Sequence, residues 1–263
     1  MTKDETALLT TESPDALLAC ILDMGQLLLT NGAEVFRVED TLSRVCAAYG
    51  FCNINVFGIT SSIVLTVEGP DGRIFTQTRR IANRDTNLQK VALVNNLSRK
   101  LCKEPVPLEA FREQLAQIRE TKAYSLPVLA LSYSVISAAF AVFFGGSAMD
   151  GVAAALSGLV VFCAQQFLGR TRMNGLLQCL LASAITALAV VLLVKMGVGA
   201  SPSKITIGNI MLLIPGISFT TSLRDIINGD TISGLVGISE AVIKAIAIAI
   251  GFAIVLVQMG GAV

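Results

Sequence analysis

Beyond Lys122 the chain stops reading as a water-soluble protein. The 141 residues from Ala123 onward hold only 10 of the 39 charged side chains, and long apolar runs follow one another there with short breaks. About 20 apolar residues in a helix cross the ~30 Å of hydrocarbon in a bilayer, so each run reads as a membrane span. Five are expected, at about 125–144, 149–168, 176–196, 205–223 and 233–258. An apolar share of 53% agrees with a membrane protein.

Residues 1–122 hold the other 29 charges and have a different texture. From Pro14 to Tyr49 apolar residues recur at three- and four-residue steps, which predicts helix, with Asn31-Gly32 as a kink or a join. The run from Leu17 to Leu29 is too short to span a bilayer and is expected to be a buried helix of a soluble domain. Strands are expected near Cys52–Phe57, Ser62–Val67 and Arg73–Thr78, the last two joined by the turn Gly69-Pro70-Asp71-Gly72, and two helices follow near 84–102 and 108–122. The predicted fold is an α-helical polytopic membrane protein, five helices over 123–263, behind an N-terminal cytoplasmic α+β domain over 1–122.

Several functions fall away on composition. The chain has no histidine, which excludes a Ser-His-Asp triad, a Cys-His dyad and any histidine-ligated metal. The six cysteines show no C-x-x-C spacing, so neither a metal nor another cofactor is expected. A net charge of +1 gives no reason to invoke nucleic acid. The first residues, MTKDETALLTTESPD, are polar and acidic, unlike a signal peptide. Arg112, Arg119 and Lys122 precede the first span, Arg170 and Arg172 follow the second, and Arg224 follows the fourth, whereas 145–148 and the tail after Gln258 carry no cation. Lys195 and Lys204 run against this alternation. The positive-inside rule then puts the N-terminus in the cytoplasm and the C-terminus outside, in the plasma (inner) membrane.

The stretch from Ile205 to Lys244 concentrates the chemistry. Pro215-Gly216 removes a backbone hydrogen bond and loosens the fourth span, giving either a plain kink or a discontinuous helix of the kind that presents half-helix ends to an anionic substrate. Ser218, Thr220, Thr221 and Ser222 follow, either as a polar lining or bonded back to their own helix. Glu240 and Lys244 share a face of the fifth span as an i,i+4 pair, either an internal ion pair or a proton carrier beside a cation for a substrate carboxylate. Arg224, Asp225 and Asp230 surround Asn228-Gly229 and read as a solvated turn or as a cytoplasmic gate. Gln165, Gln166, Gln178 and Asn209 read as bonds between helices. In the soluble part Glu34, Arg37, Glu39 and Asp40 crowd one helix, as a solvated face or as a site, and Arg79, Arg80 and Arg84 form a basic group.

Two blocks carry a resemblance. NGAEVFRVEDTLSRVCAAYG with the following SSIVLTVEGPDG, and LLIPGISFTTSLRDIINGDTISGL, resemble the threonine/serine exporter family in its half-size form. The most specific parts are Gly32-Ala33-Glu34 with Glu39, and Pro215-Gly216 with Arg224-Asp225 and Gly229-Asp230. The resemblance implies a cytoplasmic domain ahead of five membrane helices. It also implies proton-driven export of threonine- and serine-like amino acids, or of small dicarboxylates such as succinate. It further implies a second five-helix membrane subunit, or a homo-oligomer, as partner. Where relatives often carry an arginine, this chain has Gly237. In the reading that follows, the chain is not an enzyme: Pro215, Gly216, Ser218, Thr221, Arg224 and Lys244 bind substrate, while Glu240, Asp225 and Asp230 carry protons. Two alternatives are a membrane-anchored regulator or scaffold, and a membrane enzyme using Glu34, Glu39 and Asp40.

Overall fold

The computed structural model describes residues 13–82, 84–122, 124–171 and 173–260. The expectation that the chain lacks a leader, and the cation Arg172, therefore lie outside the described residues. The chain divides into two compact units, Met1–Lys122 with Ile217–Ser239, and Ala123–Gly216 with Glu240–Val263.

The first unit is built around α1 (Pro14–Thr30). Its apolar residues point in every direction, and Leu18, Ile21, Leu22, Met24 and Leu29 are completely enclosed. Such a helix is stable only inside a core. Here α2 (Val35–Ala48), α3 (Leu88–Lys103), α4 (Leu108–Arg119) and one face of a sheet surround it. Asn31-Gly32 is a join: Gly32 takes φ +91°, a conformation only glycine adopts without strain, and the chain turns into α2. The sheet is antiparallel with order β1 (Cys52–Ile59), β2 (Ser62–Glu68), β3 (Ile74–Arg80). Pairings such as Val56↔Leu65 and Leu65↔Gln77 set the register that turns Ile63, Leu65 and Val67 into the core. The Gly69–Gly72 turn closes β2 onto β3 as expected, with Gly69 N–H donating to Arg73 C=O at 2.8 Å.

Among the described residues, four helices are long and apolar enough to cross a membrane: α5 (Leu126–Phe143), α6 (Ala148–Leu168), α7 (Gly175–Lys195) and α10 (Thr231–Gly260), the last over Thr231–Gln258. The expected fourth span is interrupted, as α8 (Pro202–Leu213) and α9 (Gly216–Ile227), a bent pair that makes the fifth crossing if it counts as one span. The protein is thus a mostly helical polytopic membrane protein with a small N-terminal sheet.

In the second unit, packing depends on small residues and buried polar bonds, because lipid tails supply no hydrophobic drive between helices. A Cβ at Gly158 of α6 would sit 2.9 Å from Ser137 Cβ of α5, so these backbones touch. The Asn209 side chain of α8, fully enclosed, accepts from Ser137 Oγ at 2.8 Å and donates to Ser157 Oγ at 2.7 Å. One amide thereby ties α5, α6 and α8 together, as the sequence led us to expect. Tyr133 donates to Gln165 Oε1 at 2.6 Å. Asp150, also buried, closes a capping box with Ser147 at the start of α6 and accepts from the N–H groups of Ala200 and Ser201 at 2.8 and 2.9 Å. The Ser-x-x-Asp spacing ahead of an apolar run announces the box. The bonds to 200–201 have no sequence signal.

Asp150→Ala leaves those two amides without their acceptor. Unfolding of the purified protein followed by circular dichroism is expected to show a loss of about 2–3 kcal/mol, and an unchanged midpoint would show that Asp150 is dispensable.

Candidate functional site

The helix break comes first. Ile214 takes an extended backbone (φ −60°, ψ 129°), so α8 ends there and α9 restarts at Gly216. Pro215 cannot donate a hydrogen bond, which is the local reason for the stop. Nothing lies within 4 Å of where a Cβ at Gly216 would be. Ser218 is exposed, and its carbonyl accepts from Thr221 Oγ1 at 3.1 Å and Ser222 Oγ at 2.8 Å. Those two hydroxyls have therefore turned back onto their own helix.

Within the first unit, the end of α9 meets the start of α2. Glu34 is the N-cap of α2 but makes no side-chain cap, so the first amides of the helix need an acceptor from elsewhere. Asp225 supplies it: its Oδ1 accepts from Val35 N–H at 2.9 Å and its carboxylate also accepts from Phe36 N–H. A carboxylate at a helix N-terminus also meets the positive end of the macrodipole. Asp225 is only 2% exposed, so this cap is shielded from water. One residue earlier, Arg224 donates to Glu34 Oε1 at 2.8 Å, and Arg37 holds the other oxygen at 3.3 Å. The Arg-Asp step of one family block thus grips the Glu-Val-Phe-Arg segment of the other, 190 residues away in sequence.

More acids gather behind this grip. Glu39, one turn further along α2, accepts from Gly58 N–H of β1 at 2.5 Å. Gly58 has no side chain because a Cβ would stand 3.0 Å from Val35 and 3.2 Å from Glu39. Its carbonyl faces Ser233 Oγ of α10 at 3.5 Å. Burial pushes the Glu39 carboxyl above its ordinary value, partly offset by the Gly58 bond, and the nearby Asp230 and Asp225 add to the rise. Asp230, in the turn between α9 and α10, is likewise raised by burial, and its Oδ2 is enclosed with no hydrogen-bond partner among the described residues. Close packing of α9 and α10 on either side of this turn depends on Gly237: a Cβ there would lie 2.9 Å from Ser222 Cβ.

Of the residues singled out in the sequence, Glu34, Arg37, Glu39, Arg224, Asp225 and Asp230 therefore come together in one unit. Asp40 does not join them and pairs with Arg44 along the exposed face of α2 at 2.9 Å. In the second unit Glu240 is exposed and Lys244 half-buried, and among the described residues they form no ion pair. Of the basic group Arg79, Arg80 and Arg84, Arg79 is bound to Asp23 at 2.8 Å. Gly58 and the amides of Val35 and Phe36 take part without any mark in the sequence, since backbone groups carry none.

Comparison with known proteins comes down to one family. Residues 19–259 match the profile of the family described as "Putative threonine/serine exporter". The "Threonine/serine exporter" of Corynebacterium glutamicum is 24% identical over 213 residues, 78% of this chain and 44% of that protein, so the chain spans less than half its length. The "Probable succinate transporter subunit YjjP" of Escherichia coli is 24% identical over 251 residues, 95% of this chain and 97% of that one. Its namesake from Klebsiella aerogenes is 23% identical and covers 89% and 90%. No solved structure matches.

Two outcomes follow from this geometry. Glu34→Arg and Arg224→Glu are each expected to destabilise the first unit, and the double exchange to recover part of the loss, with a coupling of about 1 kcal/mol in a double-mutant cycle of chemical unfolding; strict additivity would remove the pair. A carboxyl raised in the folded state holds its proton more tightly there, so its stabilising share is complete below the unfolded value near 4.5 and is lost as pH climbs through the raised value. Glu39→Gln is therefore expected to flatten the decline in stability that sets in above pH about 4.5 and ends once the raised value is passed, read from unfolding midpoints at successive pH values.

Proposed function

Because the chain belongs to the threonine/serine exporter family, we propose that it is a subunit of a secondary exporter of small carboxylate-bearing metabolites. These are threonine- and serine-like amino acids or small dicarboxylates such as succinate, in keeping with the names of its relatives. The observation that carries the reading is the helix interrupted at Ile214-Pro215 in a stretch otherwise apolar enough to span. A half-helix beginning at Gly216 presents the positive end of its dipole, which suits a carboxylate.

In this reading Pro215 and Gly216 open the backbone, and Ser218 and Thr221 offer hydroxyl oxygens to the substrate. Lys244, unpaired among the described residues, meets the substrate carboxylate, and Glu240 carries the proton that couples export to the gradient. Arg224, with Asp225 and Asp230, has a second part. Held against Glu34 and the start of α2, these residues form a cytoplasmic gate whose acids exchange a proton as the grip opens and closes. The N-terminus lies in the cytoplasm and the C-terminus outside, in the plasma membrane. A second five-helix subunit of the same family, or a second copy, completes the transporter, since sites of this kind form between repeats.

Counterflow of labelled serine, threonine and succinate in proteoliposomes, with and without a five-helix family partner, tests the assignment. Saturable uptake of at least one is expected, and none in any combination would overturn it. Glu240→Gln is expected to abolish gradient-driven efflux while leaving counterflow and the folded fraction unchanged; gradient-driven efflux at the original rate would remove Glu240 from coupling.

A further inference from the structure

Away from the gate, the first unit carries a groove of about 620 Å³ between α3 and α4. Arg99, Lys100 and Lys103 stand along its α3 wall. Positions 99 and 103, like 100 and 103, are one turn apart on the same helix face, where like charges repel. Among the described residues none of the three makes an ion pair. The neighbouring groove between α2 and α3 shows the contrast: it shares Arg99 and Lys103 with the first, but its own cations, Arg37 and Arg44, are each paired with an acid, Glu34 and Asp40.

Dipole compensation does not account for the cluster. The C-terminal end of α3 is worth about half a negative charge, which leaves more than two positive charges unanswered. The facing wall, from α4 and the residues just after it, offers Gln114, Gln117 and Thr121 and no carboxylate. Thr121 Oγ1 is tied to the Gln117 carbonyl at 3.2 Å, and Asn96 Oδ1 accepts from Arg99 and aims its guanidinium. Beneath lie Leu97, 4% exposed, and Ile118. A charged wall, a neutral amide wall and an apolar floor, at a volume common for small-molecule sites, select a ligand class.

We propose that this groove binds a small, multiply charged anion, a di- or polycarboxylate or a phosphate compound with a short apolar portion. Such a ligand cancels the repulsion along α3, with the guanidinium of Arg99 taking two oxygens at once and the lysines acting as point charges. The site is separate from the export reading and stands whether or not the protein transports. It gives the soluble part a means to sense an anionic metabolite.

The test uses the full chain in nanodiscs of zwitterionic lipid, with succinate, citrate and pyrophosphate titrated separately by calorimetry. Saturable binding of at least one is expected, weakened at least tenfold in R99Q/K100Q/K103Q and retained in the charge-keeping R99K/K100R/K103R. The same titration in nanodiscs containing phosphatidylglycerol separates the two sources of such an anion: unchanged affinity supports a soluble ligand, and affinity lost there assigns the groove to lipid headgroups and overturns the metabolite proposal. Absence of saturable binding for all three probes, or equal affinity in the triple glutamine variant, also overturns it.

Discussion

The arrangement of the first unit depends on one carboxylate placed where a helix lacks its own cap. The start of α2 leaves amides that must find an acceptor, because burial without a partner costs more than a hydrogen bond is worth when made. Asp225 provides that acceptor from α9, 190 residues along the chain. A cap is worth about 1 kcal/mol, and up to ~2 when the charge also meets a partly buried helix end. That is small against a core built on α1, yet it is directional. Hydrophobic burial would tolerate α9 at many angles, whereas two amides and one carboxylate accept few. The ion pair of Arg224 and Glu34 adds to the specificity more than to stability, since the Arg224 side chain is 60% exposed.

The second unit solves a different problem with the same economy of groups. In lipid a buried amide has no water to return to, so the Asn209 side chain, bonded to Ser137 and Ser157, keeps three helices in one register. Gly158 and the other small residues let the backbones come close enough for those short side chains to reach. The outer faces meanwhile stay apolar and exposed: only 11% of α5 is buried, which suits a helix whose other surroundings are acyl chains.

Much of this was legible in the residues. The apolar runs placed α5, α6, α7 and α10 within a few residues, because length and hydropathy alone decide whether a helix can live in hydrocarbon. Alternation and turn residues placed the three strands, and Pro215 marked the break. Glu34, Glu39, Arg224, Asp225 and Asp230 were visible as charges out of place, but two bland readings competed for them, a solvated face and a solvated turn. Asp40 pairs with its own helix neighbour Arg44 on the exposed face of α2 and stays apart from the others. Local spacing could not separate Asp40 from Glu34, six residues earlier, because what distinguishes them is a partner far away in sequence.

The amino-acid order by itself determined where the chain is greasy, where it turns, where a helix must stop and which charges are scarce enough to notice. These are properties of a few neighbouring residues: periodicity, propensity and the missing N–H of proline. Only the tertiary structure decided that the Arg-Asp step after the break closes on the Glu-Val-Phe-Arg segment, that Gly58 is the point where α2 and β1 approach, and that three cations of α3 face amides rather than acids. Such contacts depend on long-range geometry and on backbone amides, which every residue but proline carries and which no sequence pattern can mark.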